Sequence, residues 1–134
     1  MNTPDPAARM RVVLADDNAF FLLSTCLLLS EHAWLQVVGS APNGADCLAL
    51  VAEHRPDVVV VDLAMPDMNG FEVAKHLTSL SDHPHVIILS QHEGPEYREG
   101  GRRVGASGYV SKAEVTTELV PLLRRLLDEG DEAA

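Results

Sequence analysis

The sequence has 134 residues, enough for one domain with a substantial hydrophobic core. Hydrophobic residues make up 46% and charged residues 22%, which excludes wholesale disorder. Ten Lys and Arg against twenty Asp and Glu give a net charge of -10, which argues against binding of nucleic acid or an anionic membrane by this segment.

Short apolar runs alternate with helix-like stretches along the chain, after a segment 1–9 that we predict to be a flexible N-terminal tail. Strands are predicted at 11–15, 35–39, 57–62, 85–90 and 107–111. Helices are predicted at 18–32, 43–54, 71–77, 95–104 and 117–128, followed by a C-terminal tail, 129–134. The fourth helix is weak, because Gly100 and Gly101 interrupt it.

The order of strand then helix, repeated five times, predicts an α/β protein. Fully apolar strands separated by amphipathic helices indicate a doubly wound, five-stranded parallel sheet, (βα)5, covered on both faces. The N-terminus lacks a signal peptide and no apolar run is long enough to span a membrane, so we expect a cytoplasmic protein. Its two cysteines are expected to be buried reduced thiols.

Polar residues end the central strands. Asp16 and Asp17 follow the first strand, Asp62 ends the third, Ser90 ends the fourth, and the fifth runs into Lys112. Parallel strands present their carboxyl ends at one edge of the sheet, where ligands of such folds bind. Three carboxylates in one cleft repel one another unless a cation neutralises them, and an all-oxygen ligand set favours Mg²⁺. A lysine and a hydroxyl beside them suit a phosphoryl group, with Asp62 best placed as its nucleophile.

This ordered set resembles the receiver domain of response regulators. That family has an acid pair after strand one, an Asp followed by x-x-M-P-x-M-[ND]-G after strand three, a Ser or Thr after strand four, and an aromatic residue then Lys at strand five. The matching positions here are Asp16 and Asp17, the run DLAMPDMNG at 62–70, Ser90, Tyr109 and Lys112. The resemblance covers residues 10–128 and implies a flavodoxin-like sheet with strand order 2-1-3-4-5.

The resemblance implies a role for each matching residue in the acid cluster. Asp62 would be the phosphoacceptor, receiving its phosphoryl group from a histidine kinase or a histidine phosphotransfer protein. Asp16 and Asp17 would hold Mg²⁺ together with Asp62 and the backbone carbonyl of Ala64. The domain would then be a signalling switch with weak self-phosphorylating and dephosphorylating chemistry rather than a metabolic enzyme.

The remaining matches imply how the phosphorylated state is transmitted. Ser90 would hydrogen-bond the phosphoryl oxygen, Lys112 would pair with the same group, and Tyr109 would be the aromatic switch that follows Ser90. A downstream output protein or domain would respond. Ala113 stands where the family often has a cis proline, and we expect a trans bond there. In this respect the pattern is closer to the NarL-like subfamily, whose receivers commonly precede a helix-turn-helix domain, so the chain is either a stand-alone receiver or part of a longer regulator.

Two further predictions are specific to this chain. Ala64 and His92 flank the path of the hydrolytic water in the family, and we expect His92 to set the lifetime of the phosphoryl group. The first helix is too apolar for a single buried stripe, so we expect an exposed apolar surface, assigned to Leu22, Cys26 and Leu29. In the family this helix docks the phosphodonor, and homodimerisation is the alternative.

Three other functions fit the sequence less well. A degenerate receiver that acts as a constitutive binding module would not need the acids, Ser90 and Lys112 that are all present. A phosphatase of the haloacid-dehalogenase type would need an Asp at the position of Ala64. A nucleotide-binding domain would need a glycine-rich phosphate loop, and none follows a strand.

Overall fold

The computed structural model describes residues 8–92 and 94–133. In these residues the chain forms the strands β1 Met10–Ala15, β2 Leu35–Ala41, β3 Val58–Asp62, β4 His85–Ser90 and β5 Gly108–Ser111. The helices are α1 Ala19–Ser30, α2 Gly44–His54, α3 Gly70–Thr78, α4 Pro95–Arg103 and α5 Val115–Ala133, with a 3₁₀ turn, Lys112–Glu114, before α5. The predicted alternation of strand and helix is confirmed.

The strands form one parallel sheet with the order β2-β1-β3-β4-β5, as predicted. Every residue of β3 is buried, which explains its uninterrupted valines. The register places Asp62 beside Leu89, and Ser90 beside Ser111. The polar ends of the central strands therefore lie side by side at the carboxyl edge of the sheet.

The sheet separates two hydrophobic cores. Val12 and Leu14 of β1 belong to the core that α1 and α5 cover, where Leu119 is fully buried. Val13 belongs to the core on the opposite face, which α2 and α3 cover and which contains Leu77. Successive side chains of a strand point to opposite faces, so apolar residues at consecutive positions build both cores at once.

Asparagine side chains begin the first three helices, immediately beyond the carboxyl edge. Asn18 accepts the N–H of Phe21, Asn43 accepts the N–H of Asp46, and Asn69 accepts the N–H of Glu72. The side-chain carboxylate of Glu72 in turn accepts the Asn69 N–H, which completes a capping box. Each cap contributes about 1 kcal/mol and fixes where the chain turns away from the sheet.

Helix α4 is the least well specified helix, as its glycines predict. Its N-cap, Gly94, has no side chain to accept a backbone N–H, and Pro95 occupies the first turn. Gly100 allows a close approach, because a Cβ there would lie 3.0 Å from the ring of Phe71. Gly100 thus weakens α4 as a helix but lets it pack closely on α3.

The chain termini differ from the prediction. Helix α5 continues to Ala133, so positions 129–133, assigned to a tail, are helical. A single glycine costs only about 1 kcal/mol within a helix, and Gly130 does not end it. Residues 1–7 of the predicted N-terminal tail lie outside the described residues, whereas the Arg9 N–H already donates to the Trp34 carbonyl at 3.0 Å. No helix within the described ranges is long and apolar enough to cross a membrane.

Candidate functional site

A cleft of about 380 Å³ opens at the carboxyl edge of the sheet. The loops after β1, β3, β4 and β5 supply its walls, so four separate chain segments converge on it. Its lining consists of Asp17, Asn18, Asp62, Ala64, Ser90, Gln91, His92 and Lys112. Most of the predicted site residues are therefore brought together by the strand ends.

Three carboxylates form a cluster at this cleft, where Asp17 and Asp62 line it and Asp16 adjoins them. Asp16 and Asp62 are 3% and 5% exposed, whereas Asp17 faces solvent. One oxygen from each lies within 4.8 Å of the others. Lys112 enters the cluster from β5, and its Nζ lies 2.8 Å from Asp16 Oδ2 and 3.2 Å from Asp62 Oδ1. One ammonium thus faces two buried carboxylates and a third nearby.

Burial and repulsion dominate the ionisation of the cluster. Burial, followed by the charge of Asp16, raises the pKa of Asp62 from 3.8 to about 6, although Lys112 opposes the shift. Burial lowers the pKa of Lys112, but its contacts with Asp16 and Asp62 outweigh that effect, and the net shift is upward. The lysine therefore stays charged, and it does not neutralise the cluster fully.

The cluster fits a divalent cation. Its donors are oxygens, the ligands that Mg²⁺ prefers. Asp16 Oδ2 is buried and contacts Lys112 ionically, but it receives no hydrogen bond of normal geometry within the described structure. Asp17 and Ala64 lie at the open side, where a partly hydrated ion could enter. A cation would relieve the repulsion that raises the pKa of Asp62.

The ring of Phe21 contacts the same ammonium group of Lys112. Lys112 Nζ lies 4.4 Å from the ring centroid, within the range of a cation–π contact. The sequence prediction missed this role, because nothing in the α1 pattern separates Phe21 from its apolar neighbours. The peptide bond from Lys112 to Ala113 is trans, as expected, and the Ser111 hydroxyl accepts the Ala113 N–H at 3.3 Å, which begins the 3₁₀ turn.

Ser90 and Tyr109 both bind the backbone of His92. The buried Ser90 Oγ accepts the His92 N–H at 2.9 Å, and the Tyr109 hydroxyl donates to the His92 carbonyl at 2.9 Å. Burial raises the pKa of Tyr109 despite the opposing effects of the Ser90 hydroxyl and Arg98. One residue of the β4–α4 loop thus joins the two side chains that the resemblance assigns to switching.

The imidazole of His92 is stacked rather than free. Its ring is nearly parallel to that of Tyr97 on α4, with 4.6 Å between centroids and 12° between planes. His92 also lines the cleft that contains Asp62, with Ala64 on another wall. Both predicted lifetime residues therefore lie beside the acid cluster.

The apolar surface of α1 is formed by different residues from those predicted. Leu29 is fully buried in the core that α1 covers, and Leu22 and Cys26 pack partly against it. The assignment of Leu29 to a partner surface is therefore wrong. The exposed apolar side chains of α1 are Phe20, Leu23 and Leu27, with exposed fractions of 79%, 58% and 59%. Helix α1 therefore has the expected exposed apolar surface, but on a different side of the helix from the residues that were predicted to form it.

A larger cavity, about 600 Å³, lies at the opposite edge of the sheet between α2 and α3. Its lining includes Arg55, His76 and Leu80. The metal-competent acid group found among the described residues lies elsewhere, at the carboxyl edge. The larger cavity is therefore not the one that contains the reactive groups, because these groups converge on the smaller cleft at the carboxyl edge.

Comparison with known proteins agrees with this geometry. The chain is 35% identical over 120 residues to the transcriptional regulatory protein NarL of Mycobacterium tuberculosis (strain ATCC 25618 / H37Rv), which covers 90% of this chain and 55% of that protein. It is 33% identical over 116 residues to the transcriptional regulatory protein YxjL of Bacillus subtilis (strain 168), covering 87% of this chain and 53% of that protein. The chain thus spans about half the length of these curated relatives.

Solved structures share the fold. The signal receiver domain of NarL from Mycobacterium tuberculosis superposes with a TM-score of 0.84 at 33% identity, covering 90% of this chain and 98% of that one. A LuxR-family two-component response regulator from Aurantimonas sp. SI85-9A1 gives a TM-score of 0.85 at 28% identity, covering 91% and 87%. The profile of the response regulator receiver domain matches residues 12–124. The chain therefore belongs to the response regulator receiver domain family of two-component signalling.

Proposed function

We propose that Asp62 is the phosphoacceptor of this receiver and that it takes its phosphoryl group from a phosphohistidine of a histidine kinase or histidine phosphotransfer protein. The observation that carries this proposal is the contact of the buried Asp62 with Lys112 at 3.2 Å, within the three-acid cluster. A nucleophile, a cation and a metal-competent set of oxygens meet at one open cleft.

The transfer exchanges one phosphorus bond for another. A carboxylate oxygen of Asp62 attacks phosphorus, the P–N bond breaks, and its electron pair leaves with the imidazole, which takes up a proton. Mg²⁺, held by Asp16, Asp17, Asp62 and the backbone carbonyl of Ala64, would neutralise the oxygens of the transferring group. Lys112 contributes a second positive charge from the β5 side.

Transmission begins at Ser90. If the Ser90 side chain rotates to donate its hydroxyl hydrogen to a phosphoryl oxygen on Asp62, its oxygen leaves the position at which it accepts the His92 N–H at 2.9 Å. Tyr109 binds the carbonyl of the same residue, so it responds to any movement of the loop. Because His92 stacks on Tyr97, the change also reaches α4, whose first turn lacks a side-chain cap.

Partners follow from the surfaces around the cleft. We propose that the phosphodonor docks on the exposed apolar residues of α1, beginning at Phe20, three residues after Asp17 in the sequence, with homodimerisation as the alternative. The output is a downstream protein or domain, and the NarL likeness favours a DNA-binding output beyond the receiver domain. The acidic receiver itself would bind neither nucleic acid nor membrane, and would act in the cytoplasm.

Intact mass measurement after incubation with acetyl phosphate and Mg²⁺ tests the proposal. We expect a gain of one phosphoryl group, roughly 80 Da. The gain should be absent without Mg²⁺ and in Asp62→Ala. It should persist in Asp57→Asn, which alters an acid just before the opposite end of the same strand. Absence of any gain in the unaltered protein would refute the proposal and favour a degenerate receiver that binds partners constitutively.

A further inference from the structure

Asp67 joins the β3–α3 loop (63–69) to the first turn of α2. Its carboxylate accepts the backbone N–H of Gly44 and of Ala45, each at 2.8 Å. It also accepts the N–H of Met68 at 3.0 Å, within its own loop. One side chain therefore ties two segments that lie 23 positions apart in the sequence.

The neighbouring side chain packs in the same place. A Cβ on Gly44 would lie 2.1 Å from Met68 Cγ and 2.6 Å from its sulfur, so the methionine occupies the space that only glycine leaves open. The hydrogen bonds to Gly44 and Ala45 lower the pKa of Asp67, which shows that they act on the charged form. Polar and apolar contacts thus hold the loop at one point on α2.

The loop tied in this way carries part of the proposed metal site. Its base is closed by the Gly70 N–H, which donates to the Leu63 carbonyl at 2.8 Å. Ala64 lines the cleft from this loop, two residues after the end of β3. The position of the Ala64 backbone relative to Asp62 therefore depends on how the loop is held between its base and Asp67.

We infer that Asp67 is a positioning residue for the metal site: by anchoring the β3–α3 loop on α2, it holds the Ala64 backbone in place beside Asp62 and so sets the affinity for Mg²⁺. The inference rests on the proposed function. Asp67 is exposed and lies outside the acid cluster, so its effect on the metal site is indirect. Supporting groups of this kind commonly change metal affinity about 10–100-fold when they are removed.

A purely structural role for Asp67 predicts something different. Helix α2 has a second cap, because Asn43 Oδ1 accepts the Asp46 N–H at 2.8 Å. Asn43→Ala therefore weakens the same helix end without cutting the link to the loop. If Asp67 served only to stabilise the helix, Asp67→Ala and Asn43→Ala would each weaken Mg²⁺ binding in proportion to the unfolding free energy that they remove.

Isothermal titration calorimetry with Mg²⁺ alone, on the whole chain, separates these roles. We expect Asp67→Ala to weaken Mg²⁺ binding roughly threefold to tenfold, at or below the lower end of the range for supporting groups. Asn43→Ala should stay within about twofold of the unaltered protein, and Asp67→Asn, which keeps one acceptor oxygen, should recover part of the loss. Urea unfolding of each variant gives the stability against which these changes are compared.

Amide chemical shifts provide a readout independent of activity. Mg²⁺ should move the Gly44 and Ala45 amide resonances in the unaltered protein and in Asn43→Ala, but much less in Asp67→Ala. Equal Mg²⁺ affinity in Asp67→Ala and the unaltered protein, or equal losses in Asp67→Ala and Asn43→Ala, would overturn the inference alone. Failure of the unaltered protein to bind Mg²⁺ would overturn the proposed metal site and the inference with it.

Discussion

Replacing Asp62 by asparagine should stabilise the metal-free protein. The substitution keeps the size of a side chain that is 5% exposed, and it removes a charge that burial and Asp16 disfavour. Lys112 keeps its closer partner, Asp16, at 2.8 Å. The residue proposed to carry the function is therefore a source of instability without its metal.

The pKa of Asp62 gives the size and the pH dependence of the effect. A rise from 3.8 to about 6, at 1.36 kcal/mol per unit, corresponds to roughly 3 kcal/mol. Water in the open cleft screens part of this, so we expect a gain of roughly 1–2 kcal/mol, or about 4–8 °C in Tm for a domain of this size. Because the folded-state pKa is raised, the penalty is full above pH 6, declines as the pH falls towards 3.8, and disappears below it.

Urea unfolding of the unaltered protein and Asp62→Asn at several pH values, in the presence of a chelator, measures this gain. Trp34, the only tryptophan in the chain, provides the fluorescence signal. Added Mg²⁺ should reduce the difference, since it relieves the same repulsion in the unaltered protein. Asp57→Asn, which weakens the 2.7 Å hydrogen bond from the Arg11 N–H, should bring no gain. If Asp62→Asn were less stable well above pH 6, or if its gain did not change with pH, the electrostatic reasoning would be refuted.

The other predictions concern Lys112, the loop and the apolar helix. Phe21→Leu should slow phosphorylation by acetyl phosphate severalfold while costing about 1 kcal/mol of unfolding free energy, because it removes the ring beside Lys112; an unchanged rate would contradict this. His92→Ala should hasten loss of the phosphoryl group, because the stacked ring borders the cleft and its removal would open the cleft to the hydrolytic water. An unaltered autodephosphorylation rate would show that His92 does not set the lifetime of the phosphoryl group. Leu29→Ala should lower the unfolding free energy by about 2–5 kcal/mol and Leu27→Ala by less than about 0.5 kcal/mol, and similar losses would show that α1 is oriented differently.

The fold and the acid cluster could be predicted because both follow from local patterns. Runs of valine and isoleucine fix the central strands, and parallel strands must end at one edge. Asp16, Asp62 and Ser90 stand at strand ends in the sequence, so their convergence follows from topology alone. No knowledge of side-chain packing was needed.

The orientation of α1 could not be predicted from its sequence. The helix contains no charged residue, and apolar side chains occur on every side of it. Periodicity therefore gives no preferred face, and the assignment of Leu29 to the exposed surface was wrong. Packing against the sheet determines the orientation of α1, because Leu29 fills the core that α1 and α5 share.

Contacts between distant segments also left no signal in the sequence. Asp67 lies in a loop with ordinary turn residues, and nothing near it indicates that it reaches Gly44. Phe21 is one of several apolar residues in α1, and its contact with Lys112 joins the first helix to the end of β5. Such pairs are set by the packing of complete elements, which local patterns do not determine.

Peptide mapping after borohydride reduction tests the central claim most directly. Acyl phosphates are reduced to alcohols, so a phosphorylated aspartate becomes homoserine. After treatment with acetyl phosphate and Mg²⁺, we predict homoserine at position 62 and unmodified aspartate at positions 16 and 17. Homoserine at position 16 or 17, or none at any of the three positions in a protein whose mass shows the added phosphoryl group, would contradict the account.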